Sequence, residues 1–394
     1  MRKGILFGVL FMMIGFYSCN KTETPAKNDA AVLTLSNSLV VELVSITPCN
    51  DGGFVVGARS RKNSHMDFWI LKYDNNFNLL WERLVGGPND ETLHKILIDR
   101  DDNILAGGES DGFGQDSFPL HQDKQNVLYF HYFDKNGNTK WETAYPFSDF
   151  NFSGGGWHKP IVTDMIEGNT TEFIITGKKP HFYNNRVGSV GITIKLTKSG
   201  IFSASYIIDV FDFSDATCNA VFKMDNTYSV FWNHYLSGGF MELDESAPSE
   251  NEIDVDKSRA AQWDYYNLIP DNIAQLKMPL PNGTFSFNYF TANKAYRYSY
   301  DINSKHTTGN PITLDFEPLY SVNTTYDNHF ILTDNTGGIY ETDSEFKVLK
   351  EYTSNYKHDV LCKLYSGEYI GGYEANSTIY LTHFDTNGKI KSNE

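Results

Sequence analysis

Positive charge is scarce in this chain. Lys and Arg number 33 against 49 Asp and Glu, a formal charge of −16. A nucleic-acid binder needs a basic footprint, so that class is excluded. Cysteine is scarcer still, at 4 in 394 residues, which rules out a disulfide-framed fold. No apolar run after residue 16 is long enough for a transmembrane helix. Local catalytic signatures are missing too. The chain has no HExxH, GxSxG or P-loop pattern, and none of its 11 His stands at a short metal-binding spacing from another. No local motif points to a transition-metal centre or an organic cofactor. An enzyme that draws its residues from several segments leaves no such signature, so that class stays open.

The N-terminus reads as a processing signal. Arg2 and Lys3 form a positive region, and residues 5–16 are apolar but too few to span a bilayer. Phe16-Tyr17-Ser18-Cys19 then sets a small residue just before a cysteine. This resembles the bacterial lipoprotein box, which implies cleavage before Cys19 and acylation of its thiol and new amino group. The expected organisation is a signal peptide over 1–18, a flexible lipidated tether over 19–30 and one folded domain over 31–394. Residues 1–18 hold Arg2, Lys3 and no acid, so the chain beyond them carries −18. Each buried acyl CH₂ contributes about 0.8 kcal/mol, so several chains anchor firmly.

Two turn patterns alternate along the domain, and each occurs seven times. The first is Asp51-Gly52-Gly53 followed by an apolar strand, with copies near Asp101, Gly168, Asp225, Asn282, Asp327 and Ser366. The second is an Asp/Asn turn after an apolar strand, near Asp74, Asp134, Thr197, Asp244, Asp301, Asp343 and Asp385. Each pair marks two hairpins and so four strands. The pattern predicts an all-β, seven-bladed β-propeller of four-stranded antiparallel blades. In blade one the strands A to D are expected at 42–48, 54–58, 68–73 and 79–84. Residues 389–392 make a short, polar final strand, so residues 31–35 are expected to complete the last blade and close the ring.

The repeat Asp51-Gly52-Gly53-Phe54-Val55-Val56-Gly57, then Asp67-Phe68-Trp69-Ile70-Leu71-Lys72-Tyr73-Asp74 and Trp81, resembles that of secreted lipoprotein propellers of Bacteroidetes. It is distantly similar to quinoprotein-type propellers, in which the Trp docks blade on blade. Trp81 and Trp141 match that position. The family implies a fold and no common activity. Residues 134–141 are also similar to the Asp-box of sialidases, one residue out of register, and the blade turn accounts for them.

In a propeller the AB and CD turns share one face, and the BC and DA connections share the other. The irregular stretches 109–126, 147–159, 178–188 and 245–271 are expected as BC or DA loops, and long loops on a rigid scaffold commonly carry function. Blades one to three bring Arg59, Arg61, His65, Phe113, Trp157, His158, Lys179, His181, Tyr183 and Arg186 to that face, a basic and aromatic set in an acidic chain. Trp263, Tyr265 and Tyr266 follow in the blade four–five insertion. Arg forks hold carboxylates and aromatic faces stack on sugars, so an acidic partner and a glycan both fit. Solvated loops with aromatics packed on the blades beneath are the plain alternative. The acidic run 242–256 is a candidate Ca²⁺ site without EF-hand spacing, set against a solvated loop.

Cys49, Cys218 and Cys362 fall on the strands before first turns. Buried thiols are expected, with a Cys49–Cys362 bond between neighbouring blades as the alternative. The functional expectation is a non-enzymatic, lipid-anchored outer-membrane module, on the periplasmic or the cell-surface side. Its partner is a membrane-protein complex that it serves as accessory subunit, or a ligand that it captures. A surface glycan-binding protein or a glycan hydrolase or lyase is the alternative.

Overall fold

The computed structural model describes residues 32–35, 41–62, 65–111, 126–145, 159–169, 171–183, 186–208, 216–223, 227–234, 237–244, 251–252, 261–262, 274–279, 284–290, 294–301, 306–313 and 319–391. The chain enters on β1 (Val32–Leu35). Blade one is β2 (Val41–Pro48), β3 (Phe54–Lys62), β4 (His65–Tyr73) and β5 (Leu79–Val85). Blade two is β6 (Glu91–Ile98), β7 (Ile104–Asp111), β8 (Asn126–Phe133) and β9 (Thr139–Tyr145). Blade three holds β10 (Ile161–Glu167), β11 (Glu172–Tyr183), β12 (Arg186–Thr197) and β13 (Phe202–Ile208). Blade four has β14 (Thr217–Lys223), β15 (Thr227–His234) and β16 (Ser237–Asp244). The chain then gives β17 (Asn251–Glu252) to the edge of blade three and β18 (Ala261–Gln262) to blade four. Blade five is β19 (Ala274–Pro279), β20 (Thr284–Phe290), β21 (Lys294–Asp301) and β22 (His306–Thr313). Blade six is β23 (Leu319–Thr324), β24 (Phe330–Asp334), β25 (Gly338–Thr342) and β26 (Val348–Thr353). Blade seven is β27 (Val360–Lys363), β28 (Tyr369–Ala375) and β29 (Thr378–Phe384), completed by β1.

The chain is an all-β propeller. The inner strands β2, β6, β10, β14, β19, β23 and β27 lie side by side in that order, and the circuit closes from β27 to β2. β1 runs antiparallel to β29, from Val32 opposite Thr382 to Leu35 opposite Ile379, and takes the outer place in blade seven. Beyond β29 the C-terminal stretch adds a single bridge, Phe384 to Ile390.

Burial follows position in the blade. β8 and the stretch of β4 from Phe68 onward, covered on both faces by neighbouring blades, are buried, while the outer strands β5, β9 and β26 alternate toward solvent. The inner strands β2, β6, β10, β14 and β23 each carry one extra residue opposite their partner, a repeated β-bulge.

The CD turns of blades one, two, six and seven are built on aspartate. Asp74 Oδ1 accepts the N–H groups of Asn76 and Asn78 at 2.8 Å each; Asp134, Asp343 and Asp385 repeat the arrangement. These are structural acceptors, filled by their own turns.

The same turns dock blade on blade. Trp81 Nε1 donates to the Lys135 carbonyl at 3.0 Å, and Trp141 Nε1 to the Lys198 carbonyl at 2.8 Å. Each indole lies over a left-handed glycine, Gly137 (φ 80°) and Gly200 (φ 84°), where a Cβ would come within 2.6 and 2.9 Å of the ring. Tyr352 covers Gly388 (φ 75°) similarly. Phe77 and Phe346 hold the corresponding left-handed place in blades one and six, against His383 and against Phe290 and Phe330. Outer-strand ring plus turn glycine, or turn phenylalanine alone, fills the same gap. Trp81→Ala is therefore expected to cost about 2–3 kcal/mol by urea unfolding, somewhat below a fully buried Trp because the ring is only half-buried. Trp81→Phe should recover most of the packing term.

Candidate functional site

The basic side chains anticipated on loops sit largely on strands. Arg59 and Arg61 lie on β3, and His65 opens β4 opposite Lys62. The stretch 178–188, expected as a loop, is a continued hairpin. β11 and β12 stay paired from Glu172 opposite Thr197 to Tyr183 opposite Arg186, so Lys179 faces Val190 and His181 faces Gly188. Pairing satisfies the backbone whatever the side chains are, so the strands outrun the apolar pattern. Lys179 is buried. The stretch 245–271, expected as a BC or DA loop, is divided. β17 pairs parallel with β13 on the outer edge of blade three, and β18 pairs with the start of β16. Residues between β16 and β18 thus belong to the CD connection, and β17 lies on the rim. Cys19, Phe113, Trp157, His158, Trp263, Tyr265 and Tyr266 lie outside the described residues, as do the side chains of His181, Tyr183 and Arg186.

At the BC/DA end the structure gathers cations from three blades around His94. Arg59 comes from β3, Lys95 from β6, and Lys159 just precedes β10. His94 Nδ1 accepts the Val162 N–H at 3.1 Å. Burial first, then Arg59, Lys95 and Lys159, push its imidazole down to about 4, so it is neutral near pH 7. Arg59 pairs with Glu42, Lys159 with Glu109 at 2.9 Å, and His65 stands 3.9 Å from Asp90. His94 and Lys95 did not stand out in the sequence. The bulge between Leu93 and Lys95, where two residues of β6 oppose one of β7, is what sets His94 in place.

The opposite end holds two groups with metal-like spacing among the described residues, Cys49–Asp51–Asp102 and Asp327–His329–Glu341. Each is answered by a lysine. Lys72 Nζ lies 2.8 Å from Asp51 Oδ2. Lys363 Nζ lies 2.7 Å from Asp327 Oδ2 and 2.6 Å from Glu341 Oε1. Burial alone would raise the Glu341 carboxyl, but hydrogen bonds from Lys363, Tyr369 and His329 outweigh it and hold it below the usual range. The cation in this second group is therefore the protein's own ammonium.

The three cysteines are free and buried, with no Cys49–Cys362 bond. Burial pushes the Cys49 thiol up to about 11, against the pull of Lys72, and the Cys218 thiol up to about 12. Metal binding and oxidation both need the thiolate, so these thiols act as small apolar groups.

No protein-family profile matches the chain, and no curated protein sequence does. Solved structures resemble it in outline. BamB from Moraxella catarrhalis aligns over 90% of this chain and 96% of that one, at 10% identity and a TM-score of 0.40. Sqt1 from Chaetomium thermophilum aligns over 92% and 85%, at 10% identity and 0.49. The C-terminal WD40 domain of Sif2 aligns over 90% and 99%, at 9% identity and 0.46. Likeness at this level concerns shape and carries no activity across.

Proposed function

We propose that this chain is a lipid-anchored binding module of the outer membrane, an accessory subunit that holds an acidic segment of a partner protein against its BC/DA end. The observation that carries the reading is the meeting of Arg59, Lys95 and Lys159 from three blades around His94, in a chain of formal charge −16. Arg61, exposed near the tip of β3, widens the basic area. Arg61 and Lys95 are exposed there and can meet a carboxylate-bearing segment, while Arg59 and Lys159, each held by a glutamate, fix the geometry around them. The lipoprotein-type Cys19 and the polar residues after it supply the membrane address.

Affinity purification of the tagged, full-length protein from detergent-solubilised membranes tests this. The expected result is a stoichiometric membrane-protein partner, retained at low salt, weakened at high salt and lost from the Arg61→Glu/Lys95→Glu variant. A partner kept by that variant would remove the BC/DA end from the reading. Binding of a neutral glycan with no protein partner would replace subunit by capture.

A further inference from the structure

Among the described residues, most of the exposed large apolar side chains lie at the AB/CD end. Of the large apolar side chains exposed among the described residues, all but Tyr320 sit there: Leu79, Leu80, Ile201, Val348 and Leu349 just after CD turns, and Tyr326 and Tyr365 in AB turns. Tyr326 and Tyr365 come from adjacent blades, with ring centroids 4.5 Å apart and exposures of 41% and 46%. The AB turns of blades one and two are joined beside them. The Asn50 N–H donates to Asp102 Oδ1 at 2.7 Å, and the Asn50 side chain to the Asp99 carbonyl at 3.2 Å. Tyr365 stands within electrostatic reach of Asp102 and of the Cys49 and Cys362 thiols, so four successive inner turns converge on one spot.

Charge at this spot is layered. The ammonium groups lie beneath: Lys72 is buried under Asp51, and Lys363 lies under Asp327, with its Nζ 5.8 Å from the Tyr326 ring centroid. Nearer to solvent are the two tyrosine rings and the neighbouring carboxylates of Asp51 and Asp102. Ring faces and carboxylates together attract an ammonium or guanidinium group, through the ring quadrupole and direct Coulomb attraction. A neutral or acidic group gains neither.

We propose that this inner-turn mouth is a second docking site, on the face opposite the BC/DA end, and that it takes a Lys or Arg side chain from an apolar, basic segment of a partner protein. The aliphatic residues after the CD turns receive the apolar part of that segment. The site is independent of the acidic-partner reading above.

The test uses the full-length protein in detergent and two capped peptides of alternating residues, Arg/Leu and Glu/Leu, titrated by calorimetry. The Arg/Leu peptide is expected to bind, and the Glu/Leu peptide to give no heat. The Tyr326→Ser/Tyr365→Ser variant keeps the net charge, so general attraction to an acidic protein survives in it. Its affinity for the Arg/Leu peptide is expected to fall at least tenfold, with the melting temperature unchanged. The Arg61→Glu/Lys95→Glu variant should bind that peptide at least as well as the wild type. Equal affinity in the tyrosine variant would overturn the proposal. Concentration-dependent self-association abolished by the same variant would overturn it too, since a second copy would then be the occupant.

Discussion

Deleting residues 32–35 is expected to lower the melting temperature by about 5–10 °C. β1 is the first strand among the described residues, yet it sits in blade seven, so it fastens the first blade to the last. Its Leu35 belongs to an apolar cluster with Ile46, Val56 and Leu71 of blade one and Ile370, Ile379 and Leu381 of blade seven. Ile379 and Leu381 are fully buried, and removing β1 exposes the outer face and edge of β29 that they help to build. Loss of that burial and of one ladder costs about 3–5 kcal/mol. For a domain of this size each kcal/mol lowers the melting temperature by about 2 °C. The bared edge also invites pairing with another chain, so aggregation on heating should rise. Leu35→Ala alone, which keeps the ladder, should cost less than half as much. Calorimetry of the two variants beside the wild type decides it. An unchanged melting temperature on deletion would mean that the contact between β27 and β2 suffices to hold the ring.

The fold was legible where turn chemistry and apolar strands coincide. Asp74 and Asp134 announce turns because their side chains must fill two backbone N–H groups, and Trp81 and Trp141 announce docking because Gly137 and Gly200 leave room for them. The strands of blade one were read too short, since the expected second strand stopped at residue 58 while β3 continues to Lys62. Polar residues there hide a ladder whose backbone pairs all the same. β17 and β18 were illegible because a two-residue strand has no period. The site was less legible than the fold. Arg59 was named from the sequence, but its convergence with Lys95 and Lys159 on His94 depends on a bulge, and a bulge changes pairing without changing the pattern of residue types. Phe77 was opaque in another way. Nothing in Asn75-Asn76-Phe77 marks a left-handed phenylalanine until the gap that it fills beside His383 is seen.

Glu91→Gln is expected to stabilise the protein above neutral pH, by about 1–3 kcal/mol. Glu91 opens β6 with no exposed surface. Ser110 Oγ donates to its Oε1 at 2.7 Å, and its Oε2 and Asp67 Oδ1 close over Gly86 from two sides. Burial pushes this carboxyl up from 4.5 to about 7; Asp67 and Asp90 add to the rise, while Ser110 and the Gly87 N–H oppose it. Between those two pH values the folded chain holds a proton that the unfolded chain has released. Folding stability therefore falls as pH rises through that window, and the whole penalty stands above pH 7. The distance from 4.5 to about 7 corresponds to about 3 kcal/mol, an upper value because local relaxation reduces it. Glutamine keeps the acceptor for Ser110 and puts a neutral amide where a carboxylate faces Asp67, which removes the titration and the repulsion between the two charges. Urea unfolding at pH 8 should then favour the variant, and at pH 4 the two proteins should be nearly equal. A constant difference at both pH values would mean that Glu91 does not exchange a proton on folding. Gly86→Ala makes the complementary case, because its methyl group would be driven between the two carboxyl groups. It should destabilise at both pH values, with no dependence on the charge of Glu91.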